Sequence, residues 1–168
     1  MLGFIRRNLR SASSETKTNA YVTMVKSNLE YCASVWNPHQ KKDEQKIEMV
    51  HQRRAVRFTL NIYHNTSSVT SMLDKLSWET LKSRRIQLQL TNLYKIQHNL
   101  IDVEASKYLN KRSTTVRSKH SSLYQPSSDQ FKFSFFPRTI IHWNSLPTSV
   151  AEVPSLAQFK SELSTHPF

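Results

Sequence analysis

Lys41, Lys42, Lys46, Arg53, Arg54 and Arg57 crowd one short stretch of this 168-residue chain. Lys82, Arg84 and Arg85 follow, and Lys107, Lys111, Arg112, Arg117 and Lys119 occupy a segment rich in Ser and Thr. Cations at this density neutralise phosphates, and hydroxyls placed between them donate to phosphate oxygens. The overall balance agrees: 24 Lys and Arg stand against 12 Asp and Glu, a formal net charge of +12. Such a chain favours polyanions, nucleic acid ahead of an anionic membrane surface. The competing reading is a solvated basic surface with no partner. Tyr63, Tyr124 and Trp78 have the ring faces needed to stack bases, but a packed core is the commoner place for aromatics at such spacing.

Other chemistries lack their parts. The single cysteine, Cys32, cannot make an internal disulfide or a Cys/His zinc set, and its apolar helical setting reads as a small buried side chain. One glycine, Gly3, stands where average usage of about 7% predicts roughly twelve. That shortage excludes glycine-rich phosphate loops and a G-x-S-x-G nucleophile turn, and it disfavours tight primed hairpins. Two-metal phosphoryl transfer needs paired carboxylates. The only adjacent acidic pair, Asp43-Glu44, sits where it suits a helix N-terminus. His142, beside Trp143, reads as a packing or hydrogen-bonding residue. No residue is assigned to catalysis, to a metal or to a cofactor. No apolar run approaches the roughly 18 residues of a membrane span, and the arginine-bearing first residues do not read as a secretory signal.

The cations must be held by helices. Met1–Arg10 reads as a short amphipathic helix that starts abruptly, as if continuing from preceding chain. Ser13 or Ser14 is placed to cap the next helix, with Glu15 in its first turn. Tyr21, Met24, Val25, Leu29, Cys32, Val35 and Trp36 carry helical spacing as far as Asn37-Pro38. Asp43 to about Asn61 is a second long helix, with Ile47, Val50, Ala55 and Phe58 on its apolar arc. His51 and Arg54 fall inside that arc. Arg54 is therefore either a core-edge arginine with a packed stem or a residue aimed at nucleic acid, and Arg53 and Arg57 lie on the polar flank.

Ser67 or Ser68 caps a short helix to Asp74. Ser77 is placed to cap a helix over Trp78–Ile101, and Asp102–Leu109 reads as a short helical turn. Residues 111–122 read as an exposed basic loop between a helical domain, 1–110, and a small aromatic-rich domain, 123–168. In the latter, Phe131, Phe133 and Phe135 alternate as in a strand, and Leu123–Phe136 suits a short β-hairpin broken at Pro126–Asp129. Pro137 is suited to open a helix with Ile140 and Trp143 on one face. Ser155 starts a last helix carrying Leu156, Phe159 and Leu163. The expected class is mainly α: a helical bundle followed by a smaller mixed segment.

The run from Ser134 to Pro147, S-F-F-P-R-T-I-I-H-W-N-S-L-P, closely resembles the S-F-F-P-R-T-I-x-x-W-N-x-L-P tail of LINE-type (non-LTR) retrotransposon reverse transcriptases of the jockey and chicken-repeat-like groups. Leu2–Leu9 resembles the L-G-F-I-R-R-N-L that follows their polymerase palm. Leu29–Pro38, Ile47–Phe58 and Thr66–Arg85 are similar to further strings of the same proteins, in the same order. The resemblance implies a thumb and post-thumb region, with Met1 an internal methionine or the start of a degenerate copy. The adjacent aspartates of the family's Y/F-A-D-D palm motif have no counterpart in this sequence. The implied role is non-catalytic: sequence-independent binding of RNA or an RNA–DNA duplex, with the palm of the same polymerase as a second partner and an intracellular, nuclear or cytoplasmic setting. The alternative is a relic that is inert or binds protein.

Overall fold

A computed structural model describes residues 1–64, 66–111, 124–125, 133–166 and 168. They are mainly α-helical. The chain divides into two compact units, Met1–Ala33 with Pro38–Arg84, and Ser34–Asn37 with Arg85–Phe168. The division falls inside one helix, after Arg84. Nothing in the composition of that helix marks the point, because its apolar spacing runs through it.

In the first unit, α1 (Leu2–Asn8) buries Ile5 and exposes Arg6 and Arg7. The Ser13 hydroxyl accepts from Thr16 N–H at 3.2 Å and starts α2 (Ser14–Tyr21), as the sequence predicts. The helix then widens to a π-helical turn, π1 (Val22–Lys26), in which Ser27 N–H bonds the Val22 carbonyl five residues back. After α3 (Ser27–Glu30) the chain turns at Cys32, whose φ of 49° breaks the expected continuous helix, and α4 (Ala33–Trp36) follows. Cys32 is exposed rather than buried. Met24, Val35 and Trp36 are exposed as well, so only Tyr21, Val25 and the partly buried Leu29 serve the core.

The second long helix is also composite. It comprises α5 (Lys41–Glu48), π2 (Met49–Ala55) and α6 (Val56–Leu60). The core of this unit joins Ile5, Tyr21, Val25, Ala55 and Phe58. Beside it Val56, Met72 and Leu73 form a second cluster with α7 (Val69–Leu76), which the Ser68 hydroxyl caps. Ser77 does not cap the next helix. It lies in the left-handed region at φ 51°, and its N–H and that of Trp78 bond the Asp74 and Leu73 carbonyls. That is a Schellman ending, made without glycine. Thr80 takes the capping role, its hydroxyl accepting from Ser83 N–H at 3.1 Å ahead of α8 (Leu81–Gln97).

In the second unit, Ile86, Leu90, Leu93 and Tyr94 of α8 pack with α9 (Phe135–Ser145), α10 (Thr148–Ala151) and α11 (Leu156–Thr165). Trp143 and Phe159 are fully buried, and Tyr94 donates to the Val153 carbonyl at 2.8 Å. Leu100, beyond the helix end, is exposed. Ala105–Lys107 makes the expected short helical turn. Asn110–Lys111 (β1) pairs antiparallel with Tyr124–Gln125 (β2). Residues 112–123 and 126–132 lie outside the described residues, and with them most of the expected 123–136 hairpin, including Phe131 and the Pro126–Asp129 break. Phe135 belongs to α9, not to a strand. Pro137 sits third in that helix, where its missing N–H is still one of the orphans, and Arg138 N–H makes the first bond, to Ser134.

Truncating Trp143 to Ala is expected to cost about 3–5 kcal/mol. Chemical denaturation should show the loss. An unchanged unfolding midpoint combined with lost RNA binding would make the ring a recognition surface instead.

Candidate nucleic-acid interface

The α5–π2–α6 run carries the densest set of expected site residues. Lys41 and Lys42 stand exposed at its start, and Lys46 is exposed but pairs with Asp43 at 3.1 Å. Arg53 and Arg54 are both exposed and Arg57 is half-buried. The π winding explains Arg54. Bonding from residue i to i+5 widens the turn, so Arg54 rotates away from the face that buries His51 and Ala55. A projection with α-helical period puts Arg54 on the wrong side.

The cations of α8 diverge. Lys82 is exposed. Arg84 grips Glu30 with two hydrogen bonds, Nε at 3.1 Å and Nη2 at 3.2 Å, while Lys26 approaches the same carboxylate at 3.8 Å. The hydrogen bonds to Glu30 push the Arg84 pKa up, so it stays charged and committed. Arg85 is 1% exposed and belongs to the interior of the second unit. It does not present a phosphate contact, because one residue on from Arg84, about 100° around the helix, the side chain is buried. The side chain of Lys111, and Arg112, Arg117 and Lys119 entirely, lie outside the described residues.

One basic feature was absent from the sequence-level site. Arg6 and Arg7 of α1, with Arg10 in the turn after it, line a concave site of about 890 Å³ in the first unit. The signal was present as three arginines on the polar side of a helix anchored by Ile5. Tyr63 lines the same site and is 52% exposed, so it is not core. Trp78 is partly buried and packs against the core: its ring stacks on Tyr21 at 4.8 Å and on His51 at 5.3 Å. The side chain of Tyr124 lies outside the described residues.

Those three rings form the polar centre of the first unit. The Tyr21 hydroxyl lies 2.6 Å from His51 Nδ1, and His51 Nε2 lies 2.9 Å from the Glu79 carbonyl. A carbonyl only accepts, so Nε2 carries the proton and Nδ1 accepts from the tyrosine. Burial lowers the His51 pKa to about 4, assisted by Lys26, while the bond to Glu79 and the charge of Glu30 act the other way. Burial raises the Tyr21 pKa, and Glu30 and Glu48 add to it. Both rings are 0% exposed, so this pair meets no substrate and serves packing. Among the described residues no group of three or more His, Cys, Asp or Glu is placed to hold a metal, and no helix is long and apolar enough to cross a membrane.

Comparison with protein-family models, curated proteins and solved structures gives no match.

The His51 shift has a defined sign. Its folded pKa lies below the unfolded value of 6.5, so below pH 6.5 the unfolded chain binds the extra proton and stability falls with pH. Lowering the pH from 6.5 to 4 should remove about 3 kcal/mol through this residue. His51→Gln should be less stable at pH 7 but lose less over the same window. Parallel pH profiles for the two proteins would refute the assignment.

Proposed function

We propose that the chain acts as the thumb and post-thumb region of a LINE-type reverse transcriptase, a non-catalytic helical module that binds RNA or an RNA–DNA duplex through the phosphate backbone. The observation that carries this reading is the outward set Lys41, Lys42, Arg53 and Arg54 on one composite helix of the first unit. None of the four has a carboxylate partner among the described residues. Exposed cations on a rigid element meet phosphates without paying desolvation of an existing ion pair, and they carry no base preference. The order of the family-like strings along the chain supports the polymerase origin.

A second reading has its own observation. Phe4, Val22, Met24 and Tyr31 of the first unit are exposed. They favour a helical relic that docks another protein, the palm of the same polymerase above all.

Binding should be strongly salt-dependent. Six phosphate contacts give a log–log slope of roughly −5 on a duplex and about −4 on single strands. Combining Lys42→Gln, Arg53→Gln and Arg54→Gln should flatten the duplex slope by between two and three and weaken all sequences alike, measured by fluorescence anisotropy. Affinity that ignores salt, or that separates related sequences by orders of magnitude, would count against backbone recognition.

The chain alone should not extend an RNA-templated primer with Mg²⁺ or Mn²⁺, because the palm's adjacent aspartates are not in its sequence. Extension that survives repurification and is abolished by replacing an acidic residue of this chain would overturn the non-catalytic reading.

A further inference from the structure

The concave site of the first unit belongs to neither the α5–π2–α6 cations nor the buried Tyr21–His51 pair. Its lining is Gly3, Arg6, Arg7, Arg10, Ser11, Asn61 and Tyr63. No acidic side chain lines it. Among the described residues none of the three arginines has an ion pair or a hydrogen-bonding partner. Three guanidiniums gathered around one concavity repel one another, so the arrangement favours an anion that bridges them.

The backbone fixes this geometry. Ile5, 2% exposed, anchors α1 to the core that also holds Phe58 of α6. Asn61 ends α6 at φ 58°, with Ile62 N–H returning to the Arg57 carbonyl. Just beyond this ending, Tyr63 lines the same concavity as the arginines.

Guanidinium forks match phosphate oxygens, and the Ser11 hydroxyl and Asn61 amide add neutral donors. A bare anion uses all of these and has no use for an exposed aromatic ring. A nucleotide strand uses both, since each unpaired base offers a face to stack. A duplex keeps its bases inside the stack and leaves the ring idle. We infer that the Arg6–Arg7–Arg10 concavity is a binding site for unpaired single-stranded RNA, with phosphates held by the arginines and one base stacked on Tyr63. This inference rests on the nucleic-acid reading above and divides it, giving duplex contact to α5–π2–α6 and single-strand capture to α1.

The test uses the full chain with a fluorescent oligouridylate of about twelve nucleotides and an RNA–DNA duplex of the same length, read by anisotropy between 50 and 200 mM salt. All four target side chains lie on the surface, so circular dichroism serves as the folding control. The triple variant Arg6→Gln, Arg7→Gln, Arg10→Gln is expected to bind the single strand with a log–log slope about two units shallower, with duplex binding little changed. Tyr63→Leu is expected to weaken single-strand binding about tenfold, and Tyr63→Phe to restore it. Wild-type binding that none of these variants alters overturns the site and leaves the α5–π2–α6 reading standing. Loss in the arginine variant with no effect of Tyr63→Leu reduces it to a generic anion site and overturns single-strand recognition. Failure of the wild-type chain to bind either probe overturns both readings.

Discussion

The first unit is organised by one buried imidazole. His51 is fully enclosed, and each of its nitrogens has one partner, the Tyr21 hydroxyl and the Glu79 carbonyl. These partners come from distant stretches of chain: the end of α2 and the link that precedes α8. Trp78 packs its ring against both His51 and Tyr21. An apolar cluster tolerates sliding, whereas a neutral imidazole with a donor on one side and an acceptor on the other permits one arrangement. The α5–π2–α6 helix is held in its rotation by this residue. The outward direction of Arg53 and Arg54 follows from the inward direction of His51 and Ala55.

A second constraint is the near absence of glycine. Helices commonly end with a residue in the left-handed region, where glycine costs least. Here Asn61, Ser77 and Asn99 take that role, with φ values of 58°, 51° and 54°. In each case the following N–H reaches back to a carbonyl five residues earlier: Ile62 to Arg57, Trp78 to Leu73, Leu100 to Lys95. Asparagine tolerates this backbone well, and serine bears more of the roughly 1–2 kcal/mol penalty of the region. The chain satisfies its orphan carbonyls at some cost in strain, and its helices stop at defined residues without a glycine to mark them.

What was legible in the sequence was local or strictly periodic. Ser13, Ser68 and Ser155 cap their helices because a hydroxyl three residues ahead of a free N–H is a local device. Ile140, Trp143, Phe159 and Leu163 are buried where their spacing places them. The failures come from features without a local signature. Ser77 was read as a start and is an end, since a serine beside a helix suits either terminus until the carbonyls it faces are known. The two π turns change the angular step inside otherwise regular helices, which displaced Arg54. Arg85 follows Arg84 in an unbroken helix, yet one is an exposed-side ion pair and the other is interior. Only the partner of each, or the core it enters, distinguishes them. Tyr63 was assigned to the core on frequency alone, and its position just past the left-handed end of α6 carries it to the surface.

The distribution of charge then follows from what folding consumes. Glu30 takes Arg84 and Lys26, Asp43 takes Lys46, and Glu104 takes Lys107. Arg138 donates to the Asn37 carbonyl at 2.6 Å. Lys17 is 4% exposed, with its ammonium 5.4 Å from the Phe58 ring centre, a cation held against an aromatic face. With half as many acids as bases, ion pairing can engage only part of the cations. Arg6, Arg7, Arg10, Lys41, Lys42, Arg53, Arg54 and Lys82 of the first unit remain outward and without an ion-pair partner among the described residues. Screening over about 8 Å at physiological salt lets each group act only near its own element. The net charge therefore works as separate local attractions, one at α1 and one along α5–π2–α6, and not as a uniform field. A polyanion that engages both must present phosphates to each, and this is the physical reason to expect different nucleic-acid forms at the two places.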